Sequence, residues 1–213
     1  MRPRLALSTP VGITPKQFEQ MKRRLSGARR TAQPAVAPSL TGKPVIDSVI
    51  LGLDPSLRGT GYGVIRRKSK NELEALDFGT ITCPSSWEHS RCLVRITQVL
   101  REVLRKHQPT VCLVEGLFYA QNLQTALIMG EARGASLAAV AEAGLEIYEM
   151  APRKVKQAIV GYGAAQKLAV AKMVQRMLHL EALPEPDAAD ALALALVHAQ
   201  ETGGYSLTPR KRV

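Results

Sequence analysis

The chain has 213 residues, of which 46% are hydrophobic, and it carries a formal net charge of +11. This size fits one globular domain with a real core and some excess chain, and no apolar run is long enough for a membrane span, which excludes an integral membrane protein. Three cysteines, Cys83, Cys92 and Cys112, are odd in number and lack metal-ligand spacing, which excludes a disulfide scaffold and indicates a reducing compartment.

The positive charge is concentrated at the two ends of the chain. Residues 1–46 hold nine Lys and Arg against one acid, and three more cations stand in the last four residues. Residues 47–209 carry 17 basic and 17 acidic side chains, so the body is neutral. Basic ends on a neutral body favour a polyanionic partner, most commonly nucleic acid. We predict a basic, flexible extension over residues 1–46, a globular domain over 47–202 and a basic tail over 203–213.

The N-terminal extension has two interpretations. It mixes Pro, Ala, Ser, Thr and Arg with little apolar periodicity, which predicts flexible chain around one short helix at Pro15–Arg24. An Arg-rich, acid-poor N-terminus also resembles an organellar transit peptide. Repeated prolines interrupt any long amphipathic helix, which disfavours the second interpretation.

The first predicted strand, Val49–Leu53, is a short apolar run that runs directly into Asp54. A tight turn then leads to a second strand, Thr60–Ile65, which must be its antiparallel neighbour because the turn is too short for a helix. Gly61 and Gly63 leave one face of that strand bare, so another backbone or a ligand can approach closely. A carboxylate at the end of a buried strand is a candidate catalytic group; a turn-forming role for Asp54 is about equally consistent with this stretch.

The remaining elements complete the predicted order β-β-β-α-β-α-β-α-α-α, which indicates an α/β fold with a mixed sheet. The helices are recognised by apolar residues at helical spacing, and the strands by alternation or by short apolar runs. In chain order these are strand Leu73–Thr82, helix Trp87–His107, strand Val111–Val114, helix Asn122–Ala143, strand Leu145–Tyr148, and helices Pro152–Val160, Gln166–Leu180 and Asp187–Gln200.

Acidic residues stand at the ends of three of these elements: Asp54, Glu115, and the pair Asp187 and Asp190 in the first turn of the last helix. If the first and fourth strands are parallel neighbours, Asp54 faces Glu115, and the last helix need only dock across that edge. Four carboxylates in one pocket cannot all ionise without cations, and two divalent metals about 4 Å apart would resolve this and support phosphodiester hydrolysis. Oxygen-only ligands favour Mg²⁺ or Mn²⁺ over zinc.

Each of these acids also has an ordinary structural explanation. Asp187 after two prolines is a good N-cap, Asp190 would favour the helix dipole, and Glu115 could be a solvated loop acid. The convergence of three acidic sites at the ends of apolar elements is less readily accidental than any one of them. The four histidines are scattered without ligand spacing, and we expect them to be structural or exposed.

Taken together, the motifs resemble the RuvC-type crossover junction endodeoxyribonucleases, Holliday junction resolvases of the ribonuclease-H-like superfamily. The resemblance covers roughly residues 48–200 in one colinear run and is specific as a set, although each motif alone is weak. The matching segments are Ile50–Pro55, Thr60–Ile65, Val114–Glu115 with Phe118 and Asn122, Gly130–Gly134, Val155–Gln157, Val160–Gly163, Lys167 and Asp187–Ala193.

The resemblance implies a five-stranded mixed sheet, with three antiparallel and two parallel strands, flanked by helices. It further implies a homodimer that nicks two strands of like polarity symmetrically at four-way junction DNA, leaving 5′-phosphates, in a bacterial cytoplasm and beside a branch-migration motor. The four acids fall on the family's metal-binding and catalytic positions. Lys156 and Lys167 fall on basic residues near its active site, and Phe118 on an aromatic that acts near the crossover.

The sequence departs from the family pattern at two places. Ser56 and Leu57 stand where a glycine usually follows the Asp-Pro pair, and Gly116 stands where a polar residue is usual. Neither departure removes a ligand. Bland alternatives remain for the DNA-binding residues, because a lysine commonly lies on a solvated helix face and Phe118 could pack in the core.

Three other functions are compatible with parts of the pattern. A related nuclease could act on structured RNA. The Asp54 and Gly61 loop also resembles the phosphate-binding hairpin of actin-like kinases and ATPases, but those need two such domains and this chain supplies one. A junction-binding scaffold without catalysis is disfavoured by the complete acid set.

Overall fold

The computed structural model describes residues 48–69, 71–116, 122–201 and 211–213. The strands are β1 (Ser48–Asp54), β2 (Gly59–Arg67), β3 (Leu73–Thr82), β4 (Val111–Glu115), β5 (Glu146–Met150) and β6 (Lys211–Arg212). The helices in these ranges are α1 (His89–His107), α2 (Leu123–Glu142), α3 (Pro152–Val160), α4 (Lys167–Met177) and α5 (Pro186–Glu201). The predicted extension over 1–46, Phe118 and most of the predicted tail lie outside the described residues.

The strands form one mixed sheet in the order β3-β2-β1-β4-β5-β6. β1, β2 and β3 pair antiparallel, whereas β1, β4 and β5 run parallel, which confirms the predicted mixed sheet and the order of its elements. The predicted count of five strands is exceeded by one, because β6 pairs antiparallel with β5 at the sheet edge. Two charged residues have little strand propensity of their own, so this strand depends on its pairing with β5.

The central strand β1 is buried on both sides, as its continuous apolar run predicts. Leu51 and Leu53 belong to the core under α1 and α2, whereas Ile50 belongs to the core under α3, α4 and α5. The alternation of side chains along a strand assigns these neighbours to opposite faces. The sheet is therefore the middle layer of three, with two helices on one face and three on the other.

Helix α5 lies unusually close to the sheet because glycines face it. A Cβ atom on Gly52 would come within 1.9 Å of the Ala191 carbonyl oxygen, and one on Gly61 within 2.0 Å of the Asp187 carbonyl oxygen. The predicted bare face of β2 is thus confirmed, and the backbone that approaches it belongs to α5. This contact places the first turns of α5 at the ends of β1 and β2.

Other features of the described residues agree with the composition. Cys83, Cys92 and Cys112 are free and buried. No described helix has both the length and the apolar character needed to cross a bilayer.

Candidate active site

Two acids of the site are placed by neighbouring parallel strands. Leu53 on β1 pairs with Val114 on β4, and the next residue of each strand is an acid, Asp54 and Glu115. The carboxyl ends of parallel strands meet at one edge of a sheet, so these side chains lie side by side and share a hydrogen bond. The prediction that Asp54 faces Glu115 is therefore confirmed.

Burial dominates the protonation of this pair. Removal from water raises the pKa of Asp54 to about 6, and the nearby negative charge of Asp190 adds to the increase. Burial, followed by the charge of Asp54, raises the pKa of Glu115 to about 8. Both shifts favour the protonated form, so these two carboxyl groups share a proton more readily than free side chains do.

The other two acids come from α5 and face a lysine. Lys167, the first residue of α4, places its Nζ atom 3.2 Å from Asp187 Oδ1 and 3.2 Å from Asp190 Oδ2. Burial raises the pKa of Asp190, while the positive charges of Lys167 and Lys156 oppose that increase. Burial alone would lower the pKa of Lys167, but the two aspartates outweigh it and raise that pKa.

The start of α5 differs from the predicted one by a residue. The helix begins at Pro186, so Asp187 lies within its first turn rather than at the N-cap, and Asp190 lies one turn further along. The two side chains still project together, as their spacing of three predicts. Gly59 on β2 also leaves room for this turn, because a Cβ atom there would lie 2.9 Å from Asp187 Oδ2.

The four acids form what we call the carboxylate cluster: Asp54, Glu115, Asp187 and Asp190. Each of the three with a raised pKa is affected by the charge of at least one other member. Without a metal, the negative charge is only partly offset, by a proton between Asp54 and Glu115 and by the Lys167 ammonium between Asp187 and Asp190. The cluster thus needs positive charge to be stable, and its donors are all carboxylate oxygens.

The chemistry of the ligands, rather than a preformed coordination geometry, indicates that this cluster can bind a metal. Among the described residues, no three Asp, Glu, His or Cys side chains are arranged to hold one ion between them. Their oxygens are instead engaged by the shared proton and by Lys167. Replacement of that proton by a hard divalent cation would satisfy the same carboxylates, so the residues fit Mg²⁺ or Mn²⁺.

The predicted DNA-binding residues have different surroundings. Lys156 is half-buried on α3 and near enough for its charge to lower the pKa of Asp190. Lys167 is bound to both aspartates of α5. Both lysines therefore lie at the cluster rather than on a remote solvated face. Phe118 lies outside the described residues.

Sequence reasoning missed a charged residue that contacts the end of β4, together with the acid that holds it. Arg133 on α2 donates hydrogen bonds to the Glu115 carbonyl oxygen and to Glu149 on β5. Arg133 falls within a motif segment used for the resemblance, but nothing in its spacing predicts a contact with Glu115. The available signal was the one arginine of a helix that is rich in small and apolar residues, which is consistent with a buried partner.

The chain matches a known family over most of the described residues. The family model described as "Crossover junction endodeoxyribonuclease RuvC" matches residues 50–198. A protein of that name from Akkermansia muciniphila is 47% identical over 149 residues, covering 70% of this chain and 89% of the relative. Another from Acinetobacter baylyi is 46% identical over 158 residues, covering 74% of this chain and 86% of the relative.

Solved structures give the same result. The structure described as T. thermophilus RuvC in complex with Holliday junction substrate aligns with a TM-score of 0.68 and 32% identity, covering 78% of this chain and 99% of that one. The yeast mitochondrial Holliday junction resolvase Ydc2 aligns with a TM-score of 0.56 at 12% identity, covering 74% of this chain and 80% of that one. The second likeness concerns the fold alone.

Proposed function

This chain belongs to the RuvC family of crossover junction endodeoxyribonucleases, and we propose that its carboxylate cluster is the centre at which it cuts Holliday junctions. The family comparison gives the activity, Holliday junction resolution in recombination and repair, and the family's nucleases are generally metal-dependent. The geometry supports assigning this activity to the carboxylate cluster. The observation that supports the assignment most is the meeting of Asp54 and Glu115 at adjacent strand ends beside both aspartates of α5.

We propose two Mg²⁺ ions as the cofactor, with Mn²⁺ as a substitute. Ions bound there would lower the pKa of a water and stabilise the leaving oxygen during in-line displacement, which yields a 5′-phosphate and a 3′-hydroxyl. The carboxylate cluster supplies the ligands, and Glu115 must first give up the proton that it shares with Asp54. No covalent enzyme intermediate is needed.

The two lysines have a distinct role in this proposal. Lys167 holds its ammonium between Asp187 and Asp190, and Lys156 lies near Asp190. A lysine is a compact charge on a flexible stem, so it can leave a carboxylate and follow a phosphate as its charge changes. We therefore assign both to holding the DNA phosphates around the cut. Phe118 keeps its proposed role in stacking on bases near the crossover.

A homodimer is the assembly that a two-fold junction requires, because protein symmetry then matches substrate symmetry. Helix α2 supports this proposal. Leu123 and Leu127 lie four residues apart on α2, with 76% and 61% of their surfaces exposed. An apolar pair on one helix face is suited to burial against a second copy. The proposed branch-migration motor partner rests on the family resemblance alone.

The two basic ends of the chain have different roles in this proposal. Lys211 pairs with Glu149 and Arg212 with Glu146 on β5, so these two cations of the tail are balanced within the protein. The extension over residues 1–46 remains our candidate for nonspecific DNA affinity. Its deletion should flatten the salt dependence of junction binding, and an unchanged slope would assign that affinity elsewhere.

The deciding experiment is cleavage of a synthetic mobile four-way junction beside linear duplex and an RNA hairpin, with Mg²⁺ and with EDTA. We expect paired, symmetric nicks on the junction alone, lost in EDTA. Binding of the junction without nicks would favour a scaffold, and cutting confined to RNA would favour the related RNA nuclease. Nicks that persist in EDTA would overturn the metal assignment.

A further inference from the structure

A buried arginine contacts the backbone of Glu115. Arg133 on α2 is 7% exposed, and its Nη1 atom donates a hydrogen bond to the Glu115 carbonyl oxygen. Its Nη2 atom donates to Glu149 Oε2 at 2.7 Å. The guanidinium therefore binds the peptide group of Glu115 and leaves the carboxylate available to Asp54 and a metal.

The peptide group that follows Glu115 is held at both of its polar atoms. Its carbonyl oxygen accepts from Arg133, and its N–H, which belongs to Gly116, donates to the Met150 carbonyl oxygen at 2.8 Å. Glu115 is the last residue of β4, where a strand would otherwise be free to fray. Arg133 thus supplies, from a helix, the contact that fixes the end of this strand.

Glu149 fixes Arg133 in turn. Its second oxygen, Oε1, accepts from Lys211 Nζ at 3.0 Å, so the carboxylate lies between two cations. A Cβ atom on Gly116 would lie 3.2 Å from Glu149 Cγ and 3.3 Å from Oε1, tighter than most such contacts. The glycine that departs from the family pattern at position 116 therefore leaves space for the Glu149 side chain beside the strand end.

We infer that Arg133, oriented by Glu149, is a positioning residue that sets the Glu115 carboxylate for metal binding. The inference rests on the proposed role of Glu115 as a metal ligand. Partners that orient ligands are worth roughly 10-fold to 100-fold in metal affinity. A fixed peptide group limits the positions that the Glu115 side chain can adopt. The side chain therefore loses less conformational entropy when it binds a metal.

The test uses the full chain and four variants: Arg133→Met, Arg133→Lys, Glu149→Gln and the double variant Arg133→Met with Glu149→Met. The matched control is Arg101→Met, which removes an arginine on α1 from an exposed ion pair with Glu142 on α2, the helix that carries Arg133. Two quantities are measured: the Mg²⁺ midpoint of junction nicking, and amide hydrogen exchange at Gly116 in the DNA-free protein. Thermal unfolding is recorded for each variant.

We expect Arg133→Met to raise the Mg²⁺ midpoint roughly 10-fold to 100-fold and to speed exchange at Gly116. Arg133→Lys should give a midpoint and an exchange rate between those of the wild type and Arg133→Met. A lysine keeps the charge but lacks the planar fork with which the guanidinium donates to both acceptors. The double variant removes the carboxylate that Arg133→Met leaves with only the exposed Lys211 as a partner, so it should recover stability without recovering the midpoint. Arg101→Met should change neither.

Two results would overturn the inference. One is a wild-type midpoint and wild-type Gly116 protection in Arg133→Lys and Glu149→Gln, whatever happens to stability. The other is recovery of the midpoint in the double variant, which would make the pair a purely structural one. The proposed function fails separately: if Glu115→Gln nicks junctions with an unchanged Mg²⁺ midpoint, Glu115 is not a ligand.

Discussion

The carboxylate cluster has a sheet half, Asp54 and Glu115, and a helix half, Asp187 and Asp190. Each half offsets its negative charge in a different way. Asp54 and Glu115 stand at the ends of paired strands, are largely buried, and share a proton. Asp187 and Asp190 stand on a helix that packs onto the sheet, and they share an ammonium group from Lys167. The sheet half is thus controlled by pH and the helix half by the position of a side chain. A divalent metal must replace the proton in the first case and only accommodate the lysine in the second.

The largest effect should follow from neutralising the sheet half. Asp54→Asn removes one charge from the cluster while its amide still fits the space at the end of β1. We expect junction nicking to fall by roughly 10³-fold or more, because a metal ligand acts on the chemical step itself. Junction binding should remain, as measured by gel shift beside the cleavage assay. Retained cleavage would contradict the metal assignment.

Docking of the helix half can be tested through Gly61. The Cβ atom of Gly61→Ala would lie 2.0 Å from the Asp187 carbonyl oxygen, so α5 must shift. We expect a loss of about 1–3 kcal/mol in unfolding free energy, together with a marked loss of nicking at saturating Mg²⁺. Urea unfolding and cleavage rates measure the two effects.

The matched control for this change is Gly134→Ala on α2. No atom lies within 4 Å of a Cβ at that position, so it should be neutral or slightly stabilising. Equal effects of the two changes would show that close approach to α5 is not what Gly61 provides.

The ammonium of the helix half can be removed by Lys167→Met. We expect nicking at saturating Mg²⁺ to fall roughly 10-fold to 100-fold, because the charge that we propose holds the DNA phosphate is lost. The Mg²⁺ midpoint should fall as well, since a cation that competes for Asp187 and Asp190 is gone. Lys172→Met, an exposed lysine on the same helix α4, serves as the control. A raised midpoint would contradict the contrast between the two halves.

The effect with the least bearing on nicking is a dependence of stability on pH. The pKa values of Asp54 and Glu115 lie above those of free side chains, so the folded protein binds more protons than the unfolded chain between about pH 4 and 8. In EDTA, the unfolding free energy should therefore fall as pH rises through this range, by up to about 1.4 kcal/mol per pH unit for each excess proton. Asp54→Asn should flatten the profile, and Mg²⁺ should flatten it for the wild type. Stability that rises with pH in EDTA would contradict the shared proton.

The sheet half could be predicted from the sequence because the positions of its two acids follow from short local patterns. A short apolar run that ends in an acid predicts a carboxylate at the rim of a sheet, and Asp54 and Glu115 both follow that pattern. Gly61 also predicted a close approach to the sheet, because a glycine leaves one face of the strand bare. The sequence did not identify the approaching group, which is the backbone of α5.

What the sequence could not provide depends on distant contacts. The sequence places Lys211 and Arg212 in a basic tail. In the structure they pair with β5 as an edge strand, and their side chains form ion pairs with Glu149 and Glu146. Arg133 reads as one residue of a helix motif, and its contact with the Glu115 carbonyl depends on how α2 packs against β4. Long side chains reach partners that no local pattern specifies.

The dependence of the helix half on α5 has a consequence for how the protein is made. A nascent chain that ends before residue 186 already contains Asp54 and Glu115 but neither aspartate of α5. Domains form as units during synthesis, and here the last helix of the sheet's second face completes the site. Under the proposed assignment, the carboxylate cluster is complete only once α5 packs against Gly52 and Gly61, so we expect chains truncated before α5 to lack nicking activity.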